Sequence, residues 1–349
     1  MDVTYVLAVV TIIVVVIFDY SNGFHDAANI VATPIASRAM TPINAVAVVA
    51  VFEFLGPILG GTAVANTIGK FIDMGDLAAS VSLTVILCGV VGAIGWNIAT
   101  WWLGIPSSSS HALVGGLAGP VVVAAGPQHV VWGFDSFLAS GQVTGVLKVI
   151  AALILSPIIG FWVGFVIHRM MSFLLRAARP EINRYLRLSQ YLTSAGMAFS
   201  HGTNDAQKSM GIITMVLLLG GFISEFAVPF WVVLVCATAI TLGILSGGWR
   251  IVRTIGFGIY KVRPLHAVDG QLSAGGVILG AALIGAPVST THVTSSAIMG
   301  IGASERPKAV RWSKAREILS TWILTIPGSA VTGIATYYLV MAILFVTGS

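Results

Sequence analysis

Charge is what this chain has least of: Asp, Glu, Lys and Arg make up 9% of its 349 residues, whereas 56% are hydrophobic. Soluble domains carry about 25% charged residues, so a mean hydropathy of +0.95 excludes an ordinary water-soluble globule. Apolar stretches near residues 3–18, 43–60, 81–95, 145–168, 227–245, 272–286 and 318–346 have the character of membrane helices, which need about 20 residues to cross about 30 Å of hydrocarbon. The runs are continuous, which excludes the alternation of a β-barrel. Cysteine is scarce as well. Cys88 and Cys236 both lie in apolar segments, so neither a disulfide framework nor a thiolate metal site is expected. The front end, Met1-Asp2-Val3-Thr4, lacks the basic region of a secretory signal, and the first apolar segment reads as a retained span.

Against this apolar background, two signatures stand out. One is Ser21-Asn22-Gly23-Phe24-His25-Asp26-Ala27-Ala28-Asn29, the other Ser200-His201-Gly202-Thr203-Asn204-Asp205-Ala206-Gln207-Lys208. A second pair follows in the same order: Pro106-Ser107-Ser108-Ser109-Ser110-His111 and Pro287-Val288-Ser289-Thr290-Thr291-His292. Asp26 and Asp205 are 179 positions apart and His111 and His292 are 181 apart. The chain therefore reads as two related halves, residues 1–175 and 189–349, joined by a basic linker over 176–188.

Loop charge indicates how the halves are related. The central linker region holds Arg169, Arg176, Arg179, Arg184 and Arg187 against Glu181 alone, which marks it as cytoplasmic by the positive-inside rule. Glu305-Arg306-Pro307-Lys308 with Arg311, Lys314 and Arg316 should be cytoplasmic too, whereas the equivalent first-half loop, 126–143, has no Lys or Arg and should face outward. Arg38 after the first signature marks an inner loop, but its counterpart, Gly220 to Glu225, has no base. Residues 61–76 hold Lys70 against Asp73 and Asp76, whereas their counterpart holds Arg250, Arg253, Lys261 and Arg263. Opposite charge character in matched loops predicts two inverted-topology repeats, an arrangement found mainly in secondary transporters. Both termini are then extracytoplasmic. The segment 77–143 folds back around Pro106 and 266–305 around Pro287, as re-entrant hairpins of broken helices meeting at the bilayer midplane. The net charge of +5 follows from orientation, and nucleic acid is excluded as a partner.

Each hydroxyl cluster reads as a helix start, with Pro suited to the first turn and Ser or Thr able to cap free N–H groups. Such N-termini attract anions. Two converging tips would ring a small tetrahedral oxyanion with Ser107, Ser108, Ser109, Ser110, Ser289, Thr290 and Thr291, and Gly115, Gly116, Gly119 and Gly300 behind them permit close helix packing. Ser and Thr also bond back to their own helices, but a lone stretch would not recur with Pro before and His after it. A carboxylate within the membrane marks an ion path or a proton relay. Asp26 is flanked by Asn22 and Asn29, and Asp205 by Asn204 and Gln207; these hard oxygen ligands suit an alkali cation, and Gly23 and Gly202 would let the chain unwind. These features point to cation-coupled anion symport with two sodium ions, because bound cations turn acids that repel an anion into attractors. The structural alternative, which can hold alongside it, is that Asp26 and Asp205 cap broken helices or pair with Lys208 and the histidines.

Other residues stay open on spacing alone. Lys208 either neutralises Asp205 or touches the anion. Glu53 either couples a cation or pairs across a helix interface. His111 and His292 read as ordering the tips, Trp96, Trp101 and Trp102 as interface or packing residues, and 248–265 as an amphipathic segment on the inner face. A channel would need a continuous polar pore. An enzyme would need a nucleophile or metal cluster, and no such spacing is present.

These signatures and hydroxyl clusters, over essentially the whole chain, resemble the Pit-type inorganic phosphate transporter family. The resemblance implies import of phosphate by sodium symport, the alternative being a proton-coupled phosphate or sulfate permease of the same fold. It implies phosphate at Ser107, Ser108, Ser109, Ser110, Ser289, Thr290, Thr291, Asn29 and Gln207, and sodium at Asp26, Asp205, Asn22, Asn204 and His25. Sodium is the coupling ion and no further cofactor is expected. The lipid bilayer of the cytoplasmic (inner) membrane is the other partner, and a homodimer is left open. The family's first signature usually reads Gly-Ala-Asn-Asp; here it is Gly23-Phe24-His25-Asp26, with imidazole in place of the amide.

Overall fold

The computed structural model describes residues 3–105, 107–247 and 249–347. Pro106, read above as the turn of the first hairpin, and Gly248 lie outside the described residues, as do the side chains of Arg250, Arg253 and Lys314. The first half runs α1 (Val3–Ala36), α2 (Pro42–Leu59), α3 (Ala63–Ile68), α4 (Ala79–Leu103), α5 (Ser109–Ala124), α6 (Phe134–Ser140) and α7 (Gly145–Leu174). The second runs α8 (Ile182–Leu219), α9 (Phe230–Ser246), α10 (Trp249–Gly258), α11 (Pro264–Leu283), α12 (Thr290–Glu305) and α13 (Trp312–Thr347). Among the described residues there is no β-strand, only one isolated antiparallel bridge between Ile72 and Val130. Five helices, α1, α2, α4, α7 and α13, are long and apolar enough to cross a membrane. Residues 182–188, assigned above to the linker, are the first turns of α8.

Packing repeats between the halves. α1 lies on α9 as α8 lies on α2, α1 on α4 as α8 on α11, and α5 on α13 as α12 on α7. Small details repeat too: the Trp132 indole donates to the Pro127 carbonyl (2.8 Å) and that of Trp312 to Pro307 (2.9 Å). Two apolar cores flank the polar centre. Along α1, Val15 and Phe18 belong to the first core and Ala27, Ile30 and Val31 to the second; along α8 the order is reversed, with Met197 and Ala198 in the second core and Met210 and Ile213 in the first. The two signature helices thus cross between the cores in opposite directions, and their polar residues fall at the crossing.

The expected hairpins are present as helix–break–helix units, α4–α5 and α11–α12. The first break begins at Gly104, whose left-handed backbone (φ 69°) ends α4; glycine occupies that region without the steric cost a Cβ imposes. The unwinding expected at Gly23 and Gly202 does not occur, since both lie inside uninterrupted helices. What these glycines provide is close approach. A Cβ on Gly23 would sit 2.1 Å from the Ile240 carbonyl oxygen of α9, and one on Gly202 2.4 Å from the Glu53 carbonyl oxygen of α2. Small residues of this kind let membrane helices pack backbone to backbone. Gly115 and Gly300 do the same against Ile326 and Phe161. The expected amphipathic segment forms α10, which buries Ile251, Val252 and Ile255 and packs against α1.

Candidate functional site

Both hydroxyl clusters begin helices, as their sequence demands. Ser108 is the N-cap of α5, accepting from the His111 N–H at 3.1 Å, and Ser289 is the N-cap of α12, accepting from the His292 N–H at 3.3 Å. The next residues of each tip face the acids of the signature helices. Ser109 Oγ lies 3.2 Å from Asp26 Oδ2, and Thr291 Oγ1 lies 3.1 Å from Asp26 Oδ1. Thr290 Oγ1 is 3.2 Å from an oxygen of Asp26 and 3.2 Å from an oxygen of Asp205. One hydroxyl of the second hairpin therefore bridges the carboxylates of both halves.

Around this bridge the expected residues gather, all of them buried. His25 Nδ1 is 2.8 Å from Asp26 Oδ1, and its Nε2 is 3.3 Å from Ser107 Oγ, which in turn meets Thr100 at 2.7 Å. Asn29 donates to Thr291 Oγ1 at 2.9 Å. Lys208 Nζ donates to Asp205 Oδ1 and to Ser110 Oγ, both at 2.5 Å, and to the Val288 carbonyl at 3.0 Å. It pairs with the acid, as one of the two readings above expected, and also reaches the tip of the first hairpin. Asn204 fastens the second tip: its amide donates to the Ala286 carbonyl (3.1 Å) and its oxygen accepts from the Val288 N–H (3.3 Å).

Four of the residues singled out sit differently. The Gln207 oxygen accepts from the Val64 and Ala65 N–H groups (2.7 and 3.3 Å), capping α3 rather than facing the tips. Asn22 is buried with neither amide atom hydrogen-bonded. His111 and His292 face each other, ring centroids 4.5 Å apart, with His292 stacked on Trp322 at 3.8 Å. They border an apolar cavity of about 710 Å³ with Trp162, Trp312 and Leu153, away from the acids.

Two central residues went unassigned on the sequence. His201 Nε2 lies 3.3 Å from Asp205 Oδ2 and 4.0 Å from Asp26 Oδ2, and its Nδ1 is 2.7 Å from Glu53 Oε1. Its signal was visible, since it occupies in the second signature the place of Asn22 in the first. Glu53 thereby has its partner across the helix interface. The other omission is Asp19, fully buried on α1 and legible as an acid just past an apolar run. Counting charges, Asp26, Asp205 and Glu53 face one lysine, with His25 and His201 the other groups able to carry positive charge. Removing one partner of such a buried pair costs about 3–5 kcal/mol, so the cluster is held as a unit.

A cradle of hydroxyls over an excess of buried carboxylates is chemistry for an anion accompanied by cations. Comparison with known proteins agrees with the anion. Residues 22–333 match the model of the phosphate transporter family. The chain belongs to that family. It is 42% identical over 341 residues to a protein of Bacillus subtilis named "Probable low-affinity inorganic phosphate transporter", covering 97% of this chain and 98% of the relative. It is 40% identical to a protein of the same name from Rhizobium meliloti, covering 95% and 96%. A solved structure described as "The sodium-dependent phosphate transporter" shares the fold, with a TM-score of 0.78, 23% identity and coverage of 97% of this chain and 100% of the other. The chain is thus a multi-pass membrane phosphate transporter rather than an enzyme.

Proposed function

We propose that this phosphate transporter imports inorganic phosphate with sodium by alternating access, the two halves being inverted repeats that rock about one midplane site. The carrying observation is the Thr290 hydroxyl, within 3.2 Å of both Asp26 and Asp205: anion-binding tips and cation-binding acids share one buried centre. In this reading phosphate is held by Ser107, Ser108, Ser109, Ser110, Ser289, Thr290 and Thr291 with Asn29 and Lys208. Sodium is held by Asp26 and Asp205 with Asn22, Asn204 and His25, and Gln207 acts at one remove by capping α3. Carboxylates, amides and hydroxyls are hard donors suited to an alkali ion, and the protein whose fold this chain shares is named as sodium-dependent. Carboxylate oxygens beside the cradle also favour phosphate over sulfate, because hydrogen phosphate donates hydrogen bonds and sulfate does not.

The opposite passage of α1 and α8 between the two cores, taken with the loop charges, supports halves of opposite orientation and termini outside. Purified protein in proteoliposomes tests the coupling. An inward sodium gradient should drive radiolabelled phosphate uptake, a proton gradient alone should not, and excess sulfate should compete weakly. Uptake driven by protons and indifferent to sodium would replace this reading with the proton-coupled one.

A further inference from the structure

Seven residues before Asp26 on α1, about 10 Å along the helix, Asp19 is completely buried and neither carboxylate oxygen has a hydrogen-bond partner. Ser209 of α8 and Cys236 of α9 point toward it as donors without forming a well-made hydrogen bond, and the charged groups that act on it most are the acids Asp205 and Glu53. One turn further along the same face of α1, Asn22 is buried with both amide atoms unpartnered, and Ser209 Oγ is unpartnered as well. Five buried polar atoms from two helices are therefore left without partners around one carboxylate. An orphaned amide or hydroxyl costs about 1–3 kcal/mol, and an uncompensated buried charge costs several more. Set against a total stability of about 5–15 kcal/mol, such a group needs a ligand that satisfies it.

We propose that Asp19, Asn22 and Ser209 form a further sodium site, two helical turns from the Asp26–Asp205 pair and present in one half only. The donors are a carboxylate, a carboxamide oxygen and a hydroxyl, the hard set an alkali ion takes. A divalent ion finds one acid here. The site lacks a counterpart: at the 179-residue offset that relates Asp26 to Asp205, Asp19 corresponds to Ala198 and Ser209 to Ile30. It therefore adds a cation outside the symmetric pair, which makes the transport cycle's cation count odd. Asn22 stands one turn from Asp19 and one turn from Asp26 on α1, so it links this site to the Asp26–Asp205 pair.

The inference rests on the sodium reading above, and equilibrium binding of radioactive sodium to the purified full-length protein separates the two. Wild-type protein should bind sodium, and Asp19→Asn, eluting as wild type on size exclusion, should bind one ion fewer per chain at saturation. Ser209→Ala keeps the charge and should weaken one class of site about fivefold, which covers the case in which Asp19→Asn fails to fold. Wild-type protein that binds sodium, with both variants indistinguishable from it, overturns the Asp19 site alone and leaves that carboxyl protonated. Wild-type protein that binds phosphate but no sodium overturns the sodium reading and this site with it.

Discussion

At matched places in the two halves, Asn29 reaches across to Thr291 and Lys208 reaches across to Ser110. Each signature helix thus holds the hairpin tip of the other half, but one grip is a neutral amide and the other an ammonium. The surrounding groups are exchanged as well. The first half carries Asn22 and His25 where the second carries His201 and Asn204, so each acid keeps one imidazole close by, on its neighbour in one half and one turn back in the other. Equivalent geometry with unequal charge means that the two acids occupy one site without being interchangeable: Asp26 depends on His25 and three hydroxyls, Asp205 on Lys208.

The largest effect should come from the acids themselves. Asp26→Asn and Asp205→Asn should each abolish sodium-stimulated phosphate uptake in proteoliposomes while the protein still purifies as a single species. If one variant keeps its uptake, the halves are not partners in coupling. Next, replacing Ser289, Thr290 and Thr291 together by Ala should weaken phosphate binding by about 100-fold, since each hydrogen bond is worth about 1 kcal/mol. Sodium affinity should fall far less, and equal losses of both ligands would sink the tips as the anion cradle. Lys208→Asn gives the second half the grip of the first. It keeps a donor near Ser110 but removes the charge beside Asp205, and a loss of about tenfold in phosphate affinity is expected from the difference between a charged and a neutral hydrogen bond; no change would mean that the ammonium serves the fold alone.

The smallest effect concerns packing. Gly23→Ala and Gly202→Ala should each lower the melting temperature, by about 1–3 kcal/mol of overpacking, because each Cβ meets a carbonyl oxygen of the neighbouring helix. Gly196→Ala on the same α8, where nothing lies within 4 Å, should be neutral or slightly stabilising. A lone loss at Gly23 or Gly202 would break the equivalence of the two crossings.

Much of this was legible in the chain because membrane residues are constrained one at a time. Asp26, Asp205 and the hydroxyl clusters are conspicuous where charge is expensive, and their repetition pointed to one shared centre. The hairpins followed from Pro287 and the loop charges. What failed was local. Gly23 and Gly202 were read for backbone freedom, whereas their role is absence of bulk against α9 and α2, which depends on a neighbour that the sequence does not name. Gln207 looked like a ligand by its spacing from Asp205, but a helical residue two positions on points elsewhere, toward the start of α3. Asp19 and His201 were passed over for the same reason. Their surroundings come from other helices, Ser209 of α8 beside Asp19 and Glu53 of α2 beside His201, and the packing of α8 on α1 and α2 brings them close.

Equilibrium phosphate binding to the purified protein, titrated with sodium, tests most directly whether cations on the two acids prepare the anion cradle. Phosphate affinity that rises with sodium in the wild type, and is weak and independent of sodium in Asp26→Asn and Asp205→Asn, is the expected result. Wild-type affinity that is the same without sodium as at saturating sodium would contradict it.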